Sequence, residues 1–135
     1  MDIVRASHSG YITAVLAELV GQEELTVVSH RVAGGGNAPR TAEITLQPLE
    51  GPHAEEQTTV VWDEVYGWKA MVPAASGTSD WFMGMSIIPA PIKVATWAEM
   101  VLLHPELTPS REDGPSRSPE DQDPAFESLL ANYRR

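Results

Sequence analysis

The run from Thr58 to Val72 constrains this chain more than any other stretch. Two β-prone segments, Thr58 to Asp63 and Trp68 to Val72, are separated by Glu64 to Gly67, and the glycine is free to take a positive φ that other residues resist. Such a pair closes as a hairpin and sets an antiparallel sheet as the frame. Trp62 and Trp68 flank the turn, where cross-strand aromatic contact contributes about 0.5 to 1.5 kcal/mol beyond area burial. Asp63 is expected to accept hydrogen bonds from turn amides, with Glu64 facing water. Paired carboxylates can perform acid and base chemistry, but neighbours on a strand point to opposite faces and would not address one substrate unless the turn reorients them.

Around this hairpin the pattern alternates between helical and extended periods. Ser7 or Ser9 can cap a helix whose apolar positions Tyr11, Ile12, Val15, Leu16, Leu19 and Val20 share one face, and Gly21 stops it. Leu25 to Val32 is rich in β-branched residues and reads as a strand. In Thr41 to Leu46 the residues Ala42, Ile44 and Leu46 fall on one face, while Thr41, Glu43 and Thr45 fall on a wet one. Gln47 to Gln57 and Ala74 to Asp80 read as loops, and Trp81 to Ile88 as a strand ended by Pro89 and Pro91. Pro91 suits the first turn of a helix from about Ile92 to Leu103, with Val94, Trp97, Ala98, Val101 and Leu102 buried. The expected fold is α+β: an antiparallel four- to five-stranded sheet, flanked by an N-terminal and a C-terminal helix packed on one face.

The chain changes character at Pro105. The last 31 residues hold five of the eleven prolines, and Ser110 to Asp123 contains no large apolar residue. That stretch cannot bury enough surface to offset the entropy of ordering it. The organisation expected is therefore a core over residues 1–104, a disordered, proline- and acid-rich linker over 105–123, and an amphipathic helix over 124–135. In that last segment Asp123 can cap, Pro124 suits the first turn, and Arg134 and Arg135 complement the helix dipole. Phe126, Leu129, Leu130 and Tyr133 stand at the i, i+3, i+4, i+7 spacing by which a helix fills a groove. The 14 residues from Ser110 to Asp123, if flexible, span an r.m.s. distance of roughly 20 Å. This lets the helix reach its own core, a second protomer or a different protein.

The pieces GYITAVLAEL, VVWDEVYGWKAMV and GMSIIPAPIKVATWAEMVL resemble an uncharacterised domain family of actinobacterial proteins, labelled only as a domain of unknown function. They cover roughly residues 8 to 103, and the arrangement Trp62, Asp63, Glu64, Gly67, Trp68 is the most specific part. The GGG loop and the long tail depart from the family pattern. The resemblance implies a shared fold and an actinobacterial source, and it brings no activity, cofactor or catalytic residue.

Composition narrows the function classes. A net charge of −10, with Arg5, Arg31, Arg40, Lys69 and Lys93 scattered singly, opposes binding to nucleic acid or anionic lipid. The absence of cysteine removes disulfides and thiol chemistry and fits a reducing compartment. Tyr11 to Val20 contains Glu18 and lacks a basic leader of the usual kind, so neither a signal peptide nor a membrane span is expected, and the expected location is the cytoplasm. His8, His30, His53 and His104 match no compact zinc spacing; the plain reading puts His8 and His53 in solvent, His30 partly packed and His104 at a helix end. Gly34 to Asn37 lacks the lysine, hydroxyl and following helix of a phosphate loop and reads as a hairpin loop. Ser76, Thr78 and Ser79 near Asp80, and the serines beside His8, form no nucleophile elbow.

No cofactor, metal or catalytic residue is expected from these patterns. The reading is a non-enzymatic protein-interaction or regulatory module with the C-terminal helix as its docking element, acting on a protein partner or a second protomer in a possible homodimer. One alternative is a small-ligand domain using a face bearing Trp62, Trp68 and Trp81, with adaptable Met71, Met83, Met85 and Met100 nearby. Another is an acidic nucleic-acid mimic that inhibits a DNA-binding partner, although seven of the nineteen acids lie in the tail.

Overall fold

A computed structural model describes residues 7–35, 38–51, 54, 56–74, 77–84, 87–104 and 124–133. The elements in chain order are α1 (Ser9–Val20), β1 (Leu25–Gly35), β2 (Ala38–Pro48), β3 (Thr58–Asp63), β4 (Gly67–Ala74), β5 (Gly77–Phe82), α2 (Pro91–Leu103) and α3 (Pro124–Ala131). The strands form one sheet in the order β1-β2-β3-β4-β5. Each pairs antiparallel with its successor, so the fold is an α+β meander with helices at both ends.

The hairpin forms as its sequence dictates. Trp62 and Trp68 are direct cross-strand partners, and Gly67 takes φ 78° to close the turn. Asp63 accepts hydrogen bonds from the Val65 amide at 2.8 Å and the Tyr66 amide at 2.7 Å. Period-two alternation then sorts the sheet. Ala42, Ile44 and Leu46 of β2, Val60 and Trp62 of β3, and Trp68, Ala70 and Val72 of β4 are all buried on one face. Against them lie Tyr11, Ile12, Val15 and Leu19 of α1 and Val94, Ala95, Ala98, Val101 and Leu102 of α2. The opposite face is wet, bearing the ion pairs Arg31–Glu43 and Lys69–Asp80.

The helix starts depart in detail from expectation. His8 stands at the N-cap of α1 without a side-chain cap bond, while Ser7 Oγ accepts from the Ser9 amide at 3.2 Å. Gly21 ends the helix at φ −72°, a conformation open to any residue; its amide donates to the Ala17 carbonyl at 3.3 Å, and the Gln22 amide donates to that of Leu19 at 3.0 Å. Pro91 occupies the first turn of α2, where the Ala90 carbonyl accepts from Lys93 and Val94.

Several strand boundaries need correction: β1 runs on to Gly35 and β2 begins at Ala38, so Gly34 and Gly35 of the expected hairpin loop belong to β1. The segment expected as a loop from Ala74 to Asp80 holds the start of β5, which ends at Phe82 instead of running to Ile88. β5 is the edge strand of the sheet, and GTSD is drawn into it by antiparallel pairing with β4. β2 likewise extends to Pro48, two residues into the expected loop. Gly34 and Gly35, at φ 86° and 112°, bring β1 to its turn with β2, and a side chain at Gly34 would meet the Pro39 carbonyl oxygen at 1.8 Å. Gly36, Asn37, His53, Ser76, Met85, the linker over 105–123, Arg134 and Arg135 lie outside the described residues.

Candidate functional site

Inward alternation runs one residue further on both β2 and β3 than their apolar residues do. Arg40 continues the phase of Ala42, Ile44 and Leu46, and Glu64 continues that of Val60 and Trp62. Both are buried, Arg40 at 1% exposure and Glu64 at 0%. The expectation that Glu64 faces water is therefore corrected: the turn sends Asp63 to the loop amides and Glu64 into the core. The carboxylates of the pair are thus separated, each with its own partner.

Arg40 and Glu64 clasp each other through backbone and side chain. The Arg40 amide donates to Glu64 Oε2 at 2.6 Å, and the Glu64 amide donates to the Arg40 carbonyl at 3.1 Å. Arg40 Nε reaches the same Oε2 at 3.1 Å. The outer prongs of the guanidinium then meet α3, with Nη1 donating to Glu127 Oε1 at 2.7 Å and Nη2 to Oε2 at 2.8 Å. This is a two-pronged contact between residues 87 positions apart. Burial opposes the guanidinium charge, and the hydrogen bonds to Glu127 and Glu64 outweigh it, holding Arg40 above its ordinary value and charged.

Apolar contacts complete the seat of α3. The Phe126 ring lies 5.5 Å from the Arg40 guanidinium carbon, Leu130 is fully buried, and Tyr133 sets its ring 5.1 Å from that of Tyr11. Tyr11 is itself fixed, donating its hydroxyl to the Pro89 carbonyl at 2.6 Å and accepting from Trp68 Nε1 at 3.1 Å. Burial raises its pKa well above the ordinary value, the Trp68 hydrogen bond lowers it, and the nearby Tyr133 raises it further. Of the four expected anchor positions, Phe126, Leu130 and Tyr133 face the core, whereas Leu129 is 50% exposed. At about 100° per residue, pairing Glu127 with Arg40 rotates the buried arc toward Glu127 and away from Leu129.

His8 is also relocated. It is buried, not solvent-exposed, and stacks on Trp62 with ring centroids 5.6 Å apart. Its Nε2 lies 3.0 Å from the Ala33 carbonyl and 2.9 Å from the Thr41 carbonyl. Both partners are acceptors, so this nitrogen carries a proton and ties the start of α1 to the β1–β2 hairpin. His30, by contrast, is exposed rather than packed, and His104 is exposed beyond α2.

Two of the three tryptophans offered above as an alternative ligand face lie in the core. Trp62 and Trp68 are each 1% exposed, and their indole N–H groups are engaged with the Ile87 carbonyl and Tyr11. Trp81 is partly buried against the core. A groove of about 370 Å³ lies elsewhere, lined by Met83, Ile92, Lys93, Thr96 and Trp97. Among the described residues no group of three or more histidines and acids is placed to hold a metal ion. No described helix is long and apolar enough to cross a membrane.

The buried residues Arg40, Glu64, Glu127 and His8 escaped sequence reasoning. The period-two phase was the available signal for Arg40 and Glu64, and nothing local marks the pairing of Arg40 with Glu127 of the tail.

No curated protein and no solved structure matches the chain. A family of unknown function, DUF6292, matches residues 11–100, a span that includes Arg40 and Glu64 and stops short of α3. The chain belongs to that family.

Proposed function

We propose that this protein is a non-enzymatic interaction module whose C-terminal helix is a reversible docking element, seated on its own core at rest and offered to a protein partner when released. The observation that carries this reading is the Arg40–Glu127 contact, made to a guanidinium that Glu64 already holds from within the core. Were α3 the sole support of Arg40, its departure would strand a buried charge. With Glu64 in place the core can stay folded without it. An eight-residue helix is unstable alone in water, so α3 folds only against a surface. Its Phe126, Leu130 and Tyr133 face then serves either the core or a partner, never both.

Relaxation-dispersion NMR tests the reversibility. Exchange confined to residues 124–133 and to the side chains around Tyr11 and Arg40 is expected on the microsecond to millisecond scale. A tail as static as β2 and β3 would refute the reading, and so would a partner that binds a Leu130→Asp chain as tightly as the unaltered one.

A second reading, binding of a small apolar ligand, draws on the groove beside Trp97. A thermal-shift screen addresses it, because a ligand at a hundred times its dissociation constant adds about 2.7 kcal/mol. A shift that survives Trp97→Ala would place the ligand elsewhere.

A further inference from the structure

We infer that the surface under α3 is itself a recognition site, for a short amphipathic helix of another protein that carries an aromatic residue, a carboxylate beside it and an aliphatic residue four positions on. This rests on α3 being releasable, as proposed above, and adds what the vacated core would select.

Every element of the seat is positioned by the core. The Arg40 backbone is clasped to Glu64 in both directions, Nε donates to Glu64 Oε2 and Nη2 also reaches Glu64 Oε1 at 3.4 Å, which fixes the guanidinium with its Nη1 and Nη2 edge toward α3. That edge matches the two oxygens of one carboxylate, at 2.7 and 2.8 Å in the seated helix. The Tyr11 ring is locked between the Pro89 carbonyl and the Trp68 indole, on the far side of the molecule's chain order from the tail. A site whose donors and walls are fixed before the ligand arrives loses little entropy in binding it.

Charge makes the selection sharper. A chain of net charge −10 repels acidic helices in general. Yet α3, from a segment holding seven of the nineteen acids, is seated through one of them. The buried guanidinium thus rewards a single carboxylate at one position, next to the aromatic residue that lies against Arg40. The apolar requirement is equally narrow, since Leu130 is fully buried while Leu129 is half exposed. In the intact chain α3 competes from an effective concentration of about millimolar. A foreign helix therefore binds in proportion to the released fraction.

The test uses a fluorescein-labelled peptide of sequence DPAFESLLANY, the chain's own residues 123–133, titrated into full-length protein by fluorescence anisotropy. Two chains are compared: the unaltered one, and Leu130→Asp, which should unseat α3. The double change Phe126→Ala with Glu127→Ala stands in if Leu130→Asp fails to fold. Saturable binding about tenfold or more tighter to the unseated chain is expected. A peptide with Gln in place of Glu127 should bind about tenfold or more weakly, and one with Ser in place of Leu129 should bind as before. Equal binding to both chains, or indifference to the Glu127 change, overturns the inference. If amide exchange shows α3 released and the core intact yet no peptide binds, the inference fails while the reversible helix stands. If the core melts whenever α3 is unseated, both fail together. A chain that dimerises in light scattering, and ceases to with Leu130→Asp, assigns the seat to a second copy and overturns the foreign helix.

Discussion

Removing the charge on either side of the Arg40–Glu127 contact should have unequal consequences. Glu127→Ala deletes two charge-assisted hydrogen bonds of 2.7 and 2.8 Å, each contributing about 1.5 to 3 kcal/mol. The low end of the sum applies, because Glu64 still neutralises Arg40 and water reaches the guanidinium once α3 leaves. The expected loss is about 3 kcal/mol, bounded above by the loss from Leu130→Asp, which removes the seated helix altogether. Arg40→Met preserves bulk but leaves two carboxylates. Glu127 can escape to solvent with α3, whereas Glu64, at 0% exposure, cannot. Arg40→Met loses the same contact with Glu127 and in addition strands Glu64; stranding one member of a buried pair costs about 3 to 5 kcal/mol, so Arg40→Met should exceed Glu127→Ala by about that amount. Equilibrium urea unfolding followed by the fluorescence of the buried tryptophans measures both, with unchanged slopes showing that the unfolded reference is the same. Equal losses for the two substitutions would show that Glu64 does not hold Arg40 independently. A loss under about 0.5 kcal/mol for Glu127→Ala, the range of ordinary surface changes, would show that the tail is not seated through this contact.

Three further outcomes are expected. Gly34→Ala, where φ is 86° and the new Cβ would lie 1.8 Å from the Pro39 carbonyl oxygen, should lower the melting temperature far more than Gly35→Ala, where φ is 112° and nothing lies within 4 Å. Comparable shifts would mean that backbone strain alone governs the hairpin. Asp63→Ala, which frees the Val65 and Tyr66 amides, should cost about 1 to 2 kcal/mol in the same urea assay, and Asp63→Asn should recover most of it. The raised Tyr11 pKa means that the folded state holds its phenolic proton more tightly than the unfolded chain does. That contribution is complete below the ordinary tyrosine value near 10 and is lost as pH rises above it, so stability should fall with pH there and Tyr11→Phe should flatten the slope.

Elements governed by local periodicity were legible from the sequence. The inward phase of Ala42, Ile44 and Leu46, the Trp62–Trp68 hairpin and most of the apolar faces of α1 and α2 repeat within a few residues and form as expected, whereas Val20 at the end of α1 is 70% exposed and Leu16 and Trp97 are only partly buried. The start of β5 was not legible, because GTSD has turn composition and becomes a strand only through pairing with β4. The candidate site was partly visible. Phe126, Leu130 and Tyr133 stood out by spacing, while Glu127 between them looked like a solvated acid. Arg40 and Glu64 are 24 residues apart and Arg40 and Glu127 are 87, and no periodic signal spans such distances. His8 was misplaced for the same reason, since its Thr41 partner is 33 residues away.

The meander order of the sheet has a consequence during synthesis. Each strand pairs with the one made just before it, so hairpins that close in about microseconds assemble as fast as the chain emerges. Tyr11 must wait for the Pro89 carbonyl, 78 residues later, which at about 5 to 20 residues per second is an interval of about 4 to 16 s. Within that wait, from Trp68 until α2 is complete at Leu103, the inward face carrying Trp62 and Trp68 lacks the cover of α2, for about 2 to 7 s at the same rate. Chain segments in that state are the ones most prone to associate with each other, so a ribosomal pause between Phe82 and Leu103 should reduce the soluble yield of this protein while leaving the stability of the finished fold unchanged.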